Sequence, residues 1–570
     1  MSRGSAGANS GPSARARAAS VGARRRPAIS DEFGAYPSPS FLLALLLYAL
    51  AGTFLLVSCI APPTPSAPTL AITPAPLISP APASTEPLRV FLPELPNTLD
   101  PLTASSWAAR ALRSLFLPGL WALDDRLQPQ PVLADSLPSR ADGTISEDGQ
   151  VLTLRLRTDL RWSDGEPLTA ADVVFTWRYA AGQGVFPYAS FVKEVTAEDA
   201  QTVRVEFSRP FAPWPAYLFA YILPRHILEL TDAGVWRAFP SVGSGPYIPA
   251  YWEGRGLVFL ANPFFGKGPP RTDRLVIYQE TTAAARWEAI ARGEADLTVF
   301  LAPESLPFTQ PPNGAFMLTS PSGYVETLFF NLDPRRGHPA LQSERVRLAL
   351  ASVLDPEALC PMLGGQIVPA RSLYSGTFWE HPGLAEFAFS PARAQRLLDE
   401  SGWRDTDGDG VRDWQGIPLR LRYAVPTGAV NRGLVQAQVA QRWREMGVQV
   451  ETIGVSQPWE DPAAWDVAQW AGRVPGYPDP DDPRWLCREA RPGGLNPAGV
   501  CDERLDELIA AQATATDPED RKGFLFEIQA LAQERVWWIP LCRWEDVWLV
   551  RGNLESLRPW REAPFWNLEQ

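Results

Sequence analysis

Two hydrophobic periods interleave along this chain. Val151-Leu152-Thr153-Leu154-Arg155-Leu156-Arg157 sets apolar side chains at alternate positions, as a half-buried strand does, and Val203-Arg204-Val205-Glu206-Phe207 repeats the pattern. Leu88-Arg89-Val90-Phe91-Leu92 reads as a short apolar strand that opens the folded part. Apolar residues spaced by three and four predict helices over 282–293, 343–354, 391–401, 434–446 and 518–535. Asp164-Gly165-Glu166-Pro167 is a turn. Thr169 follows it as a helix cap, with Asp172 three residues on. The signals are mixed α and β, with no internal repeat of fixed period. A different pattern stands near the start: positions 41–57 are almost wholly apolar.

That apolar run is about 17 residues, at the bottom of the range for a spanning helix, and it is broken by Gly52 and Thr53. A basic stretch precedes it and Leu56-Val57-Ser58-Cys59 ends it, so 1–58 reads as a secretory signal with a basic N-region. The last four residues resemble the bacterial lipobox, which makes Cys59 the expected lipid anchor; the alternative is a plain membrane anchor with an incidental cysteine. The long basic region leaves room for a start downstream of Met1, near Val21. Between Cys59 and Thr85 there are eight prolines and no charge, so 59–87 is expected to be an extended tether.

With 570 residues the chain is too long for one ordinary core, so two or more lobes are expected. Its net charge is −12, and without the first 58 residues, which hold six Arg against Asp31 and Glu32, it deepens to −16 (46 basic against 62 acidic). So acidic a body repels nucleic acid and anionic lipid heads, which leaves the N-terminus as the only contact with a membrane.

With Cys59 lipidated, Cys360, Cys487, Cys501 and Cys542 remain. Export permits disulfides. Cys487 and Cys501 flank a Pro/Gly-rich loop and are the favoured pair; whether Cys360 and Cys542 pair is left open. Three His (His226, His338, His381) and the cysteine spacing fit no zinc motif. Asp405, Asp407, Asp409 and Asp413 begin like a calcium loop, but its twelfth position is Gly416 where Glu is needed; a tight acidic turn is the other reading. Asp479, Asp481 and Asp482 could pose as paired glycosidase carboxylates, or form a solvated Pro-rich loop. No Gly-x-Ser-x-Gly, His-Glu-x-x-His or phosphate-loop motif occurs, and neither an enzyme nor a cofactor is expected.

Several blocks, in order, carry a resemblance. They are ISEDGQVLTLRLRTDLRWSDGEPLTAADVVFTWRY at 145–179; Gly243-Ser244-Gly245-Pro246-Tyr247 with Trp252 and Asn262-Pro263-Phe264-Phe265; Gly293-Glu294-Ala295-Asp296-Leu297; Leu328-Phe329-Phe330-Asn331-Leu332 with Arg345 to Leu350; 390–403 running into the acidic turn; and 502–540. Together they resemble the dipeptide- and oligopeptide-binding family of ABC-importer solute-binding proteins (extracellular solute-binding family 5). The resemblance implies a two-lobed α/β fold of the type II periplasmic-binding, Venus-flytrap kind, with an extra subdomain in the first lobe. It implies lobe I at 88–130, 236–324 and 536–570, the extra subdomain at 131–235, and lobe II at 325–535.

The same resemblance implies a monomer, exported and held by lipid on the outer face of the cytoplasmic membrane. It would capture a peptide by hinge closure and deliver it to ABC permease subunits. An oligosaccharide or other solute, or service as an envelope sensor or scaffold, are the alternatives. Nickel is disfavoured by so few His.

The stretch 465–480 resembles the family segment that brings a Trp to the cleft, here Trp470 with Gly472. Peptide binders have an Asp three residues later, for the ligand's amine; this chain has Arg473, whose rigid fork suits a carboxylate or phosphate. Asp479 can take the Asp role instead, or Arg473 can face solvent. Tyr477, Tyr324, Trp107 and Ser105 complete the expected ligand site, Ser105 because the segment after Asn97-Thr98-Leu99-Asp100-Pro101 borders the cleft in the family. Gly243 to Tyr247 is either a structural turn or a direct ligand contact.

Overall fold

A computed structural model describes residues 86–568, apart from 185–188, 231–232, 271, 305, 307, 309, 474–477, 479–482 and 492. The signal, the tether and Cys59 lie outside the described residues. No helix among those described is long and apolar enough to cross a membrane.

The local signals translate into elements largely as their chemistry dictates. Leu88–Leu92 is a strand, Val151–Arg155 and Thr202–Phe207 pair antiparallel, and Pro518–Arg535 is a helix. Asp172 accepts the Thr169 backbone N–H at 2.8 Å and so fixes the start of helix Ala170–Gly182. Helix Ala283–Arg292 is capped by Thr282 and ended by Gly293 at φ 71°, a left-handed stop that costs glycine nothing. The helix expected over 434–446 begins earlier, as Val430–Arg444, because Val435, Val439, Ala440 and Trp443 bury one stripe while exposed Val430 and Leu434 carry no core signal.

One eleven-stranded mixed sheet runs through the molecule. At one end lie Gln449–Val455, Arg420–Pro426 and Val467–Arg473; at the other lie Leu297–Phe300, Leu88–Leu92, Arg274–Gln279, Gly256–Ala261 and Tyr247–Glu253. Two long antiparallel strands join the ends, Ala315–Phe330, of 16 residues, and Trp538–Arg551, of 14, and the short strand Ile367–Pro369 pairs with the second as the eleventh. Their pairing shifts register between Pro321 and Val325 and again between Glu326 and Thr327. Bulges of this kind bend and twist a strand pair.

The cores change along these strands. Ile539, Leu541, Cys542 and Trp544 belong to one apolar cluster, with Tyr423, Val439 and Trp443. Trp548 and Val550 belong to another, with Leu112, Phe116 and the Val151–Arg155 sheet. One strand thus serves both halves of a two-lobed α/β fold, and the switch falls between Trp544 and Trp548. The structure joins Cys360 to Cys542 and Cys487 to Cys501.

Candidate functional site

Strand Val467–Arg473 has Val467, Ala468 and Gln469 buried and Trp470, Ala471 and Gly472 half-buried, so its C-terminal end emerges from the core. It pairs antiparallel with the second half of Ala315–Phe330, Tyr324 opposite Arg473 and Thr327 opposite Trp470. Alternation sends Ala468, Trp470 and Gly472 to one face of the sheet and Gln469 and Ala471 to the other.

The first face is a wall of rings. Trp470 stacks on Phe329 with centroids 4.0 Å apart and planes 19° from parallel. Trp459 and Trp465 meet Trp470 edge-on, each at 6.2 Å. Phe329 continues to Trp485 at 5.7 Å, and Trp485 to Trp538 at 4.3 Å. Trp465 is buried and held by its indole N–H to the Pro458 carbonyl at 2.7 Å. Trp459 is 44% exposed and marks the rim. A side chain at Gly472 would lie 3.9 Å from the Trp470 indole nitrogen and 4.0 Å from the Phe329 ring. Phe329 is buried while Trp470 is half-buried, and a Cβ at Gly472 would meet both only at ordinary contact distance.

The opposite face holds a buried charge pair. Glu326 is fully buried, and Arg432 grips it through two hydrogen bonds of 2.7 and 3.0 Å. Gln469 donates to Glu326 at 2.9 Å. Burial deprives the carboxylate of water, so this fork and amide replace its hydration. Sequence reading missed the pair because Glu326 and Arg432 are 106 positions apart.

Tyr324 is half-buried at the register shift, with the Arg561 guanidinium 5.4 Å over its ring. Arg561 donates to the Asp546 carboxylate at 2.8 Å and to the Ala302 carbonyl at 2.9 Å. Its own carbonyl accepts the Trp107 indole N–H at 2.7 Å. Trp107 and Tyr324, 217 positions apart in the chain, are therefore brought together through one C-terminal arginine. Ser105 is exposed; its hydroxyl accepts from Asn97 at 3.1 Å and its carbonyl from Arg110.

A small cavity of about 10 Å³ abuts the shift, lined by Leu127, Gly323, Tyr324, Tyr374, Trp379 and Arg543. It has room for roughly one water molecule. Next to its lining residues Leu127 and Trp379, the Phe378 N–H donates to the Arg126 carbonyl at 2.6 Å.

Of the residues expected at the site, Trp470, Gly472 and the Arg473 backbone share a strand, and Tyr324 pairs with that strand. Trp107 reaches Tyr324 only through Arg561. Ser105 stands two residues before Trp107 with no contact to the ring wall. The Arg473 side chain, Tyr477, Asp479, Asp481 and Asp482 lie outside the described residues. Pro478, between them, is buried, and its carbonyl accepts from fully buried Arg521 at 2.7 Å.

Gly243 and Gly245 act as a backbone device. A Cβ on Gly243 would come within 2.2 Å of the Phe116 carbonyl oxygen, and one on Gly245 within 2.2 Å of that of Leu115. Ser244 and Gly245 donate their N–H groups to Phe116 O at 3.0 and 3.1 Å, closing the C-terminus of helix Trp107–Phe116. In the acidic turn, Asp405, Asp407 and Asp409 bring carboxylate oxygens within 4.8 Å of one another and are exposed. Those carboxylates accept N–H groups of Gly408, Asp409, Gly410 and Val411, and Asp413 turns to Thr406.

The comparisons with known proteins agree with this architecture. The family described as bacterial extracellular solute-binding proteins, family 5 Middle, matches residues 128–493. The chain belongs to that family. Its relatives include Protein XP55 of Streptomyces lividans, 28% identical over 452 residues, with 76% of this chain and 79% of that protein covered. Another is a probable di/tripeptide-binding protein 5 of Pseudomonas aeruginosa (strain UCBPP-PA14), 24% identical, covering 74% and 84%. An ABC transporter substrate-binding protein from Sinorhizobium meliloti has the same fold, with a TM-score of 0.69 at 21% identity over 85% of this chain and 99% of that one. This solute-binding chain thus takes the two-lobed fold of its family.

Proposed function

We propose that this chain is the substrate-binding subunit of an ABC importer and captures peptides. The observation that carries the reading is the ring wall in which Trp470, on strand Val467–Arg473, stacks on Phe329 of the crossing strand, and Phe329 meets Trp485. Rings so placed offer large apolar faces to a solute, next to the two strands about which the halves can turn. The di/tripeptide-binding name of the Pseudomonas relative supports peptide as the cargo.

A peptide reaches the rings when the halves part. A ligand that touches both halves only when they close shifts the population toward the closed form by its differential affinity. The closed form then docks on permease subunits, and no bond in the cargo is made or broken. Lobe I is taken as 88–130, 236–324 and 536–570, the extra subdomain as 131–235 and lobe II as 325–535. Cys59 carries the lipid and 59–87 is the tether; the chain works as an exported monomer at the outer face of the cytoplasmic membrane. Ser105, Trp107, Tyr324, Trp470, Gly472, Arg473, Tyr477 and Asp479 are the proposed ligand contacts.

Thermal-shift screening of the purified chain against di- to pentapeptides and oligosaccharides tests this. A peptide at 100 times its Kd is expected to stabilise the fold by about 2.7 kcal/mol. Stabilisation by oligosaccharides with none by peptides reassigns the cargo, and steady peptide cleavage would overturn the transport role.

A further inference from the structure

Trp214 reaches out of one apolar core to the margin of another. Its ring belongs to the core of Leu112, Phe116 and Leu152 and stands edge-on to Trp121 at 4.6 Å. Its indole N–H donates to the Thr516 carbonyl at 2.8 Å. Thr516 precedes helix Pro518–Arg535, whose Leu525 and Ile528 belong to a different core, with Leu505 and Leu508. The Thr516 hydroxyl donates in return to the Gly149 carbonyl at 3.0 Å. Trp214, Thr516 and Gly149 are all buried, so both bonds are sheltered from water. Gly149 has φ 66°, and a Cβ there would come within 2.5 Å of the Thr516 hydroxyl oxygen, so glycine is what permits the approach.

Charged groups rim this dry centre. Asp517 caps the helix with one carboxylate oxygen, which accepts the Glu519 N–H at 2.9 Å. Its other oxygen accepts the Arg140 N–H at 2.8 Å. The Arg140 guanidinium lies 3.2 Å from the Asp520 carboxylate, at the exposed edge. One residue on, fully buried Arg521 holds the Pro478 carbonyl. The first turn of a single helix thus grips the 140–149 and 214 segments on one side and the chain at Pro478 on the other.

The helix gives these contacts leverage. Its 18 residues span about 27 Å, and the strand Trp538–Arg551, which serves both halves, begins three residues after its end. A turn of about 10° at that strand moves the start of the helix by about 5 Å. Hydrogen bonds of 2.8 and 3.0 Å do not survive such a shift. Two neutral hydrogen bonds and an exposed ion pair are also weak enough to break and re-form, as a reversible contact must.

We propose that Trp214, Thr516 and Gly149, with Arg140, Asp517 and Asp520 at the rim, form a latch that closes the two halves without ligand and slows the ligand's escape. The latch rests on the two-lobed division taken above, with 131–235 moving with lobe I and 325–535 as lobe II. Its opposite is a fixed seam between parts that never separate.

The test follows the ligand-free purified chain by single-molecule energy transfer between dyes at exposed Arg178 and Arg442. The wild-type chain is expected to show a closed and an open population. Thr516→Val keeps the side-chain shape and removes the hydroxyl, and Asp520→Asn weakens the rim. Together they are expected to move the closed-to-open ratio about tenfold toward open, with the urea unfolding midpoint near that of the wild type. Asp520→Asn alone, at an exposed position, is expected to shift it less in the same direction. A wild-type chain with no closed population overturns the proposal. So does a double variant that loses stability while its ratio stays as before, which marks a fixed seam. With a peptide that binds, stopped-flow dissociation from the double variant is expected to quicken about tenfold, and an unchanged rate overturns the hold on the ligand. If no peptide binds the wild-type chain, the cargo reading fails and the ligand-free ratio alone decides the latch.

Discussion

The indole of Trp470 lies nearly flat on the ring of Phe329, 4.0 Å away, and the two come from neighbouring strands, not from one. The stack fixes Trp470 in the position where its other edges face Gly472 and the rim residue Trp459. Replacing Trp470 with Ala removes both the ligand face and the packing on Phe329. The expected result is loss of ligand-induced thermal stabilisation, with a fall of about 2 kcal/mol in the stability of the free chain by urea unfolding.

Gly472→Leu separates the two effects. Its Cβ meets only ordinary contacts, so stability is expected to stay within about 1 kcal/mol. The leucine would crowd the half-buried Trp470 indole and is expected to weaken peptide binding about tenfold. Unchanged calorimetric affinity would remove that side of the wall from the site.

Glu326 and Arg432 should behave as a buried pair. Glu326→Ala leaves the guanidinium facing an apolar core, and a loss of about 3–5 kcal/mol is expected. The double change Glu326→Leu with Arg432→Met, which removes both charges, is expected to cost less than the single one. Denaturant midpoints of the three chains decide this; additive costs would mean that the two residues do not act as a pair.

The disulfides should differ in weight. Cys360 and Cys542 are 182 positions apart, and Cys487 and Cys501 are 14 apart. In the chain-entropy model the first bridge contributes about 5 kcal/mol and the second about 3. Cys360→Ala with Cys542→Ala is expected to lower the unfolding midpoint more than Cys487→Ala with Cys501→Ala, measured without reductant.

His338 is expected to make stability depend on pH. Its Nδ1 accepts the Ala340 N–H at 3.2 Å and its Nε2 faces the Pro418 carbonyl at 3.1 Å, which suits the neutral ring. Burial holds its pKa below the ordinary 6.5, with Asp466 opposing and Arg422 reinforcing the shift. The unfolded ring therefore takes up a proton first as pH falls. Its contribution is complete above about pH 6.5 and declines below that, by at most about 1.4 kcal/mol per pH unit. His338→Gln should flatten that limb between pH 7.5 and 5.5 in urea titrations.

Residues that speak to their near neighbours were legible in the chain. Thr282 and Gly293 bracket a helix, Leu88–Leu92 is a strand, and Thr169 with Asp172 starts helix Ala170–Gly182, because caps and alternation act within a few positions. Only the tertiary structure decided that Arg561 joins Trp107 to Tyr324, that Glu326 meets Arg432, and that Cys360 meets Cys542. It also set Arg113 over the Tyr221 ring while pairing Arg110 with Glu562, though the two look alike in sequence. Charge and ring contacts act across a few ångströms of space. When strand order brings distant positions together, no local pattern in the sequence carries a record of it.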